Sequence, residues 1–134
     1  MGTVILVADD NQTIRKAACA MLVESENPAT CLEAENGQVA VEMAVQHKPD
    51  LVILDYSMPV MDGFEAAKRI HELLPDVPIV LFSLYAAMLE EKKAIEPGFA
   101  AVVPKEKAGS LLRPTVRSLL KMQRGNNDGG KLIA

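Results

Sequence analysis

Short runs of consecutive apolar residues recur along this chain, and longer segments with apolar residues at helical spacing separate them. A strand whose two faces are both covered is apolar along its whole length, whereas a strand with one wet face alternates between apolar and polar residues. The pattern therefore predicts an α/β fold in which helices cover both faces of a parallel sheet. Four such runs lie at residues 4–8, 51–54, 78–82 and 99–103.

A fifth strand is predicted at residues 30–34, where a mixed composition favours an edge of the sheet. Asp62 is expected to cap the third helix in a pattern that resembles a capping box. Pro114 is expected in the first turns of the last helix, because a proline in a helix interior costs about 3 kcal/mol. The five predicted helices lie around residues 14–22 and 39–44 and at residues 63–73, 85–95 and 107–124.

Length and composition limit the class of protein. The 134 residues make one domain, and 49% hydrophobic residues are enough for a core. A formal charge of -4 is opposite to that of a nucleic-acid-binding surface, so no direct contact with nucleic acid is expected. No apolar run approaches the roughly 20 residues that span a bilayer, so we expect a cytoplasmic protein without membrane insertion. Cys19 and Cys31 lack CxxC spacing and are expected to be reduced, buried thiols.

Polar residues follow the apolar strands at their carboxyl ends. Asp9 and Asp10 follow the first strand, Asp55 the third, Ser83 the fourth and Lys105 the fifth. In a doubly wound sheet of order 2-1-3-4-5, ligands bind outside these ends, and strands one and three are neighbours about 4.8 Å apart. The three aspartates are therefore expected to converge, and because their carboxylates repel one another, to share a cation.

The chemistry of these side chains points to phosphoryl transfer. Oxygen ligands without a nearby histidine or cysteine favour a hard ion, and a shallow site that keeps waters suits Mg²⁺ better than Ca²⁺. The Ser83 hydroxyl and the Lys105 ammonium group are suited to phosphoryl oxygens. Asp55 is the candidate nucleophile, because it ends the most apolar strand and leads into a loop at the rim of the sheet.

Together these residues resemble the receiver domain of bacterial two-component response regulators, the single-domain chemotaxis type included. The resemblance covers about residues 3–122. It implies a flavodoxin-like (βα)5 receiver domain at residues 1–124 and a flexible tail at residues 125–134, for which a cloning origin is left open. Its carriers are Asp9-Asp10, residues 51–55 (Leu-Val-Ile-Leu-Asp), 58–59 (Met-Pro) and 61–63 (Met-Asp-Gly), Ser83 and Lys105.

The same resemblance implies a signalling switch that is not a turnover enzyme. Asp55 would accept a phosphoryl group from a sensor histidine kinase or a histidine phosphotransfer protein. Ser83 and Lys105 would hold the phosphoryl oxygens, and Ser83 would move inward on phosphorylation. The implied Mg²⁺ ligands are Asp10, Asp55 and the backbone carbonyl of Ser57, with Asp9 acting through water.

The output surface implied by the resemblance is formed by the fourth helix, the fifth strand and the fifth helix. A basic stripe on the fifth helix is therefore a candidate contact for a downstream protein partner or for an output domain outside this chain. An ordinary solvated face is the alternative explanation of the stripe. Its members are Arg113, Arg117 and Lys121.

The lysine of the site departs from the family pattern. The family usually places a proline after this lysine, whereas here Pro104 precedes Lys105 and Glu106 follows it. A cis bond to proline after Lys105 is thus excluded, while a cis peptide between Lys105 and Glu106 is left open, at a cost of about 3 kcal/mol.

Two further positions differ from the usual receiver. Leu84 stands where Ala or Gly is common, and its bulk is expected to narrow access to Asp55 and to slow phosphorylation and hydrolysis. Val102 replaces an aromatic residue that usually couples to the movement of the hydroxyl. Tyr85, at the start of the fourth predicted helix, is the candidate substitute.

Two other functions are weighed against the phosphorylated switch. A degenerate receiver that acts only as a protein-interaction module is disfavoured, because all five site residues are present. A phosphohydrolase with Asp55 as nucleophile is disfavoured as well. The dehalogenase-type phosphatases have an Asp-x-Asp motif, and Ser57 stands here in place of its second aspartate. Rapid turnover needs the general acid that this second aspartate supplies.

Overall fold

Five parallel strands form one sheet in the order β2-β1-β3-β4-β5, in a computed structural model that describes residues 2–23, 29–84 and 99–127. The predicted fold class and strand order are confirmed, and the mixed second strand lies at an edge as expected. The strands are β1 at Thr3–Ala8, β2 at Ala29–Ala34, β3 at Leu51–Leu54, β4 at Ile79–Ser83 and β5 at Phe99–Pro104.

Four helices lie among the described residues: α1 at Gln12–Leu22, α2 at Gly37–His47, α3 at Gly63–Leu73 and α4 at Ala108–Asn127, with a 3-10 turn at Lys105–Lys107. The first three begin at side-chain caps that accept a backbone N–H at the helix start. Asn11 accepts from Ile14, Asn36 from Val39 and Asp62 from Glu65. The Asp62 cap is as predicted, but the Glu65 carboxylate pairs with Arg69, so no reciprocal capping box forms through it.

The last helix continues beyond its predicted end at residue 124 and is described as far as Asn127. Pro114 is inside this helix, in its second turn, where it cannot donate to the carbonyl four residues earlier. The predicted helix at residues 85–95, with its charged run at residues 90–93, lies outside the described residues. Residues 128–134 of the predicted tail also lie outside them.

Alternate residues of each central strand face opposite sides of the sheet, and each side has its own apolar layer. Ile5 and Ile53 pack with α1 and α4, whereas Leu6 and Leu54 pack with α2 and α3. All four residues of β3 are fully buried, which explains their continuous apolar run. Leu112, Val116 and Leu120 of α4 pack on the first layer, as their spacing predicts. No helix within the described part of the chain is long and apolar enough to cross a membrane.

The expectation of reduced cysteines is wrong, because Cys19 and Cys31 form a disulfide. Cys19 lies on α1 and Cys31 on β2, and α1 packs against the same side of the sheet that Cys31 faces. Their Cα atoms are 5.7 Å apart, within the usual range for a disulfide. Local sequence gave no sign of the bond, since the two residues meet only through the packing of a helix on an edge strand.

Reduction of this disulfide is expected to lower the free energy of unfolding. The bond closes a short loop, since its cysteines have a sequence separation of 12, and closing a loop of about 15 residues stabilises a protein by about 3 kcal/mol. Urea unfolding with and without a thiol reductant measures the difference. The double variant Cys19→Ala/Cys31→Ala is the control and should not respond to reductant. The expectation would be contradicted if the wild-type protein had the same urea midpoint with and without reductant, while alkylation showed that both thiols are free in the reduced sample.

A second expectation concerns Gly63, the first residue of α3. A Cβ at this position would overlap the backbone carbonyl of Asp55, whereas a Cβ at Gly109 in α4 would meet nothing within 4 Å. Gly63→Ala should therefore destabilise the fold by about 1–3 kcal/mol through overpacking. Gly109→Ala should stabilise it by about 0.4–1 kcal/mol, because alanine loses less backbone freedom in a helix. Urea unfolding of both variants tests the contrast, and an equal effect of the two would refute it.

Candidate functional site

Parallel pairing brings the predicted acidic residues to one edge of the sheet. Ala8 of β1 pairs with Leu54 of β3, so the next residues along the two strands, Asp9 and Asp55, leave the sheet side by side. The backbone N–H of Asp55 donates to the carbonyl of Ala8 at 3.0 Å, which extends the ladder by one step. Asp9, Asp10 and Asp55 each place a carboxylate oxygen within 4.8 Å of the others. The convergence expected from the sequence is therefore present.

Lys105 enters this acidic cluster from the end of β5. Its Nζ lies 2.6 Å from Asp9 Oδ2 and 3.3 Å from Asp55 Oδ2, and its side chain is 9% exposed. The Phe82 ring, with its centroid 5.9 Å from Nζ, covers the ammonium group from the strand beside it. The Lys105 ammonium group thus forms ion pairs with two buried carboxylates, those of Asp9 and Asp55.

The backbone around Lys105 contains no cis bond, and neither does any other described part of the chain. The alternative of a cis peptide between Lys105 and Glu106 is therefore wrong. A 3-10 turn begins at Lys105 and directs its side chain towards the aspartates. The lysine reaches the carboxylates without the following proline that the family usually has.

Asp9 is held through most of its polar atoms. Its N–H donates to the carbonyl of Ala34 at 3.0 Å, and its Oδ1 accepts the N–H of Asn11 at 2.9 Å. Its Oδ2 is buried and has the ion pair with Lys105 but no hydrogen bond of good geometry among the described residues. Asp10 is exposed, whereas Asp9 and Asp55 are buried. The cluster therefore has two buried carboxylates and one that faces solvent.

Burial raises the pKa of the Asp55 carboxyl above its ordinary value, and the charge of Asp9 raises it further. Lys105 opposes both effects, through its charge and through a hydrogen bond. The arrangement costs free energy because a buried charge is desolvated and its neighbour repels it. A divalent cation would relieve that repulsion.

The donor set fits Mg²⁺. It contains carboxylate oxygens from Asp9, Asp10 and Asp55 close enough to share one ion, and no His or Cys joins this cluster. Hard divalent cations prefer such oxygen ligands, and the exposed position of Asp10 leaves one side of the cluster open to water. The Lys105 ammonium group, 2.6 Å from Asp9 Oδ2, shows that these carboxylates already accommodate one cationic group.

Two glycines, the first residues of α3 and of α2, hydrogen-bond to the loop after Asp55. The N–H of Gly63 donates to the carbonyl of Tyr56 at 2.8 Å, and the N–H of Gly37 donates to the carbonyl of Met61 at 3.1 Å. A side chain on Gly63 would overlap the Asp55 carbonyl, and one on Gly37 would overlap that of Met61. Gly63 belongs to one of the motifs that carry the family resemblance, but the steric reason for a glycine there is visible only in the fold.

Exposed residues occupy the outer part of the same loop. Ser57, whose carbonyl is the fourth predicted metal ligand, is exposed beside the cluster. Val60 has a φ of 70°, an uncommon conformation for a β-branched residue, and around it the N–H of Met61 donates to the carbonyl of Pro59 at 2.7 Å. The tight turn at Val60 reverses the chain before α3 begins.

The other predicted site residues lie around the same end of the sheet. Ser83 is fully buried at the end of β4, next to Pro104 in the register with β5. Leu84 is 61% exposed. Val102 is half-buried in β5, and Tyr85 lies outside the described residues. The predicted effects of Leu84, Val102 and Tyr85 on phosphorylation therefore stay predictions.

The basic stripe is exposed on α4, but it is not a row of free charges. The Nε of Arg113 donates to the carbonyl of Met21 at 2.9 Å, so this arginine ties α4 to the end of α1. Arg113 and Arg117 both have further contacts. At least the first member of the stripe has a structural role between two helices.

Arg15 contacts the site but was not among the residues predicted from the sequence. Its Nη1 donates to the carbonyl of Asp9 at 2.8 Å, and its Nε donates to Glu33 Oε1 at 2.8 Å. The available signal was a basic residue in the first turn of α1, where the helix dipole disfavours positive charge. That signal indicates a partner but does not identify it.

Comparison with known proteins gives the family of this fold and site. The family described as the response regulator receiver domain matches residues 5–117. A protein-glutamate methylesterase/protein-glutamine glutaminase from Hahella chejuensis is 37% identical over 103 residues, which are 75% of this chain and 26% of that protein. The receiver domain of AraT, a response regulator from Geobacillus stearothermophilus, has a TM-score of 0.84 at 28% identity and covers 95% of this chain and 99% of its own.

A third similar protein is the response regulator TrrA from Thermotoga maritima, solved in complex with Mg²⁺-BeF. Its TM-score is 0.76 at 30% identity, with 87% of this chain and 98% of that chain covered. The first curated relatives are longer than this chain, which spans between about a quarter and about a half of their length. The matched range of residues 5–117 contains the three aspartates, Ser83 and Lys105. This chain belongs to the family of response regulator receiver domains.

Proposed function

We propose that this chain is the phosphoacceptor switch of a two-component phosphorelay, with Asp55 as the acceptor. The observation that carries the proposal is the position of Asp55, which ends a fully buried strand within 4.8 Å of two other carboxylates and beside Lys105. No His, Cys or Lys other than Lys105 is part of this described cluster. The carboxylate of Asp55 is therefore the nucleophile that the site offers.

In the proposed reaction, an oxygen of the Asp55 carboxylate forms a bond to the phosphorus of a phosphohistidine. The bond between phosphorus and the imidazole nitrogen of the donor breaks, and its electron pair stays on that nitrogen. Lys105 stabilises the negative charge of the phosphoryl oxygens, since its ammonium group already lies 3.3 Å from Asp55 Oδ2. Mg²⁺ held by Asp10, Asp55 and the Ser57 carbonyl, with Asp9 through water, would supply further neutralisation of that charge.

The proposed donor is a sensor histidine kinase or a histidine phosphotransfer protein in the cytoplasm. The proposed response is an inward movement of Ser83, whose buried position at the end of β4 lies beside the strand of Lys105. A downstream protein, or an output domain outside this chain, would read the change at the surface that includes β5 and α4. Similar proteins of greater length, such as the methylesterase of Hahella chejuensis, support an output beyond the receiver.

The same geometry weighs against the two alternatives. A degenerate module has no need for buried like charges, yet Asp9 and Asp55 remain 1% and 5% exposed and paired with Lys105. A phosphohydrolase of the dehalogenase type has its general acid two residues after the nucleophile, and this position holds the exposed Ser57. Without that acid we expect the phosphoryl group to be lost to water slowly, as suits a switch.

The proposed chemistry is tested by incubating the protein with Mg²⁺ and a small phosphoryl donor such as phosphoramidate. We expect one phosphoryl group per chain by intact mass, lost on Asp55→Asn because an amide cannot form the acyl phosphate. Asp62→Asn is the matched control, since it changes another aspartate of the same loop and keeps an oxygen for the cap of α3. An unlabelled wild-type protein, or a labelled Asp55→Asn variant, would refute the proposal, and repeated turnover would favour the hydrolase.

The raised pKa of Asp55 gives an expectation for stability. A carboxyl whose folded pKa lies above its unfolded value costs stability once it ionises, and this cost develops as the pH rises from about the ordinary value of 3.8 through the raised folded value. Asp55→Asn should therefore be more stable than wild type at pH 7 without Mg²⁺, by about 1–3 kcal/mol, the cost of a poorly satisfied buried group.

Urea unfolding between pH 4 and pH 8 measures this difference. The advantage of Asp55→Asn should shrink on acidification, because the wild-type carboxyl then becomes neutral too. Mg²⁺ should stabilise the wild type more than the variant. A variant that is less stable than wild type at pH 7 would show that burial and repulsion at Asp55 are offset by Lys105.

A further inference from the structure

Arg15 occupies a position that a helix alone does not favour. It is in the first turn of α1, which contains no acidic residue, and a positive charge there is opposed by the helix dipole. Its side chain is nevertheless only 13% exposed. The contacts of Arg15 must therefore offset both the dipole and the loss of hydration.

Those contacts run from the acidic cluster to the edge of the sheet. Nη1 of Arg15 donates to the backbone carbonyl of Asp9 at 2.8 Å, and Nε donates to Glu33 Oε1 on β2 at 2.8 Å. Lys16 reaches the same glutamate, with its Nζ 3.1 Å from Oε2. The Arg15 hydrogen bond lowers the pKa of Glu33, so this carboxylate stays ionised and keeps the guanidinium in place.

The carbonyl that Arg15 binds belongs to the peptide between Asp9 and Asp10. A hydrogen bond to this oxygen sets the orientation of that peptide plane, and the plane fixes the directions in which the two side chains leave the backbone. The N–H and Oδ1 of Asp9 are held by Ala34 and Asn11. Arg15 supplies the third contact, and these three contacts leave Oδ2 for the acidic cluster.

We infer that Arg15 is a positioning residue for the Mg²⁺ site, which it orients through the Asp9 carbonyl while Glu33 holds its guanidinium. This inference rests on the proposed function, because it concerns the metal that phosphorylation of Asp55 requires. Groups that hydrogen-bond to metal ligands without contacting the metal commonly contribute 10–100-fold to metal affinity. Arg15 touches neither the metal ligands' carboxylates nor the proposed phosphoryl group in the described contacts, so it acts through Asp9.

The inference is tested by Mg²⁺ titration calorimetry on the full chain, with urea unfolding of the metal-free protein in parallel. Arg15→Ala should weaken Mg²⁺ binding by about 10-fold. Arg15→Lys should recover part of the affinity, since an ammonium group can donate to the Asp9 carbonyl but cannot serve Glu33 in the same fork geometry. Glu33→Gln should have an intermediate effect, because an amide oxygen still accepts from Nε.

Lys16→Ala is the matched control. It removes the other cation from the same Glu33 carboxylate but does not reach Asp9, so its Mg²⁺ affinity should stay within about twofold of wild type, as expected for an exposed ion pair. In the metal-free protein, the carbonyl ¹³C resonance of Asp9 should shift in Arg15→Ala and not in Lys16→Ala. This resonance reports the lost hydrogen bond independently of phosphorylation.

Each outcome bears on a separate statement. A folded Arg15→Ala protein with wild-type Kd for Mg²⁺ would overturn the inference and leave the proposed function intact, even if the variant unfolds at lower urea. An equal loss of Mg²⁺ affinity in Lys16→Ala would also overturn the inference, because the cause would then be the loss of a positive charge near β2 and not the contact with Asp9. Failure of the wild-type protein to bind Mg²⁺ would overturn the metal site itself and the inference with it.

Discussion

Repulsion between carboxylates that the backbone does not allow to separate is the constraint on which this molecule depends. Asp9 and Asp55 follow paired residues of β1 and β3, so the same hydrogen-bonded ladder that stabilises the core also holds two negative charges together. The strands are buried from both sides and cannot move apart without loss of the core. Lys105 neutralises part of the negative charge of the carboxylates. The remaining negative charge can bind a cation, and phosphorylation of Asp55 would change it.

The surroundings of the cluster keep it in this costly arrangement. Gly63 allows α3 to begin against the Asp55 carbonyl, and Arg15 holds the carbonyl of Asp9 from α1. The cap at Asp62 starts α3 at a defined residue, which fixes the length of the loop after the acceptor. Free energy gained by packing and hydrogen bonding elsewhere thus maintains a site that would relax if it were free to do so.

Much of this arrangement could be predicted from the sequence. The buried strand Leu51–Leu54 was predicted residue for residue, because a strand covered on both faces needs an apolar side chain at every position. The convergence of Asp9 with Asp55 followed from strand order and the common end of parallel strands. Both features follow from the spacing of apolar residues and from the strand order. They are predictable because nearly every residue of a helix or strand contributes to that spacing.

The remaining features depend on single contacts between distant elements. The bond from Cys19 to Cys31 needs the distance between a helix and an edge strand, and the contact of Arg15 with Asp9 needs the path of one long side chain. The end of α4 also differs from its prediction, since the helix continues through Gly125 despite a composition typical of a turn. A local pattern of residues carries no record of such contacts.

The course of α4 has a consequence for how a signal leaves the domain. The helix starts just after Lys105, at the carboxyl ends of the strands, and near its other end Gln123 donates to the carbonyl of Asp76, just before β4. The helix therefore runs along the length of the strands, from their carboxyl ends to their amino ends. Its 20 residues span roughly 30 Å. The described end of α4 therefore lies on the side of the molecule away from the acceptor, so information can reach this end only as a mechanical change along the helix and its neighbours.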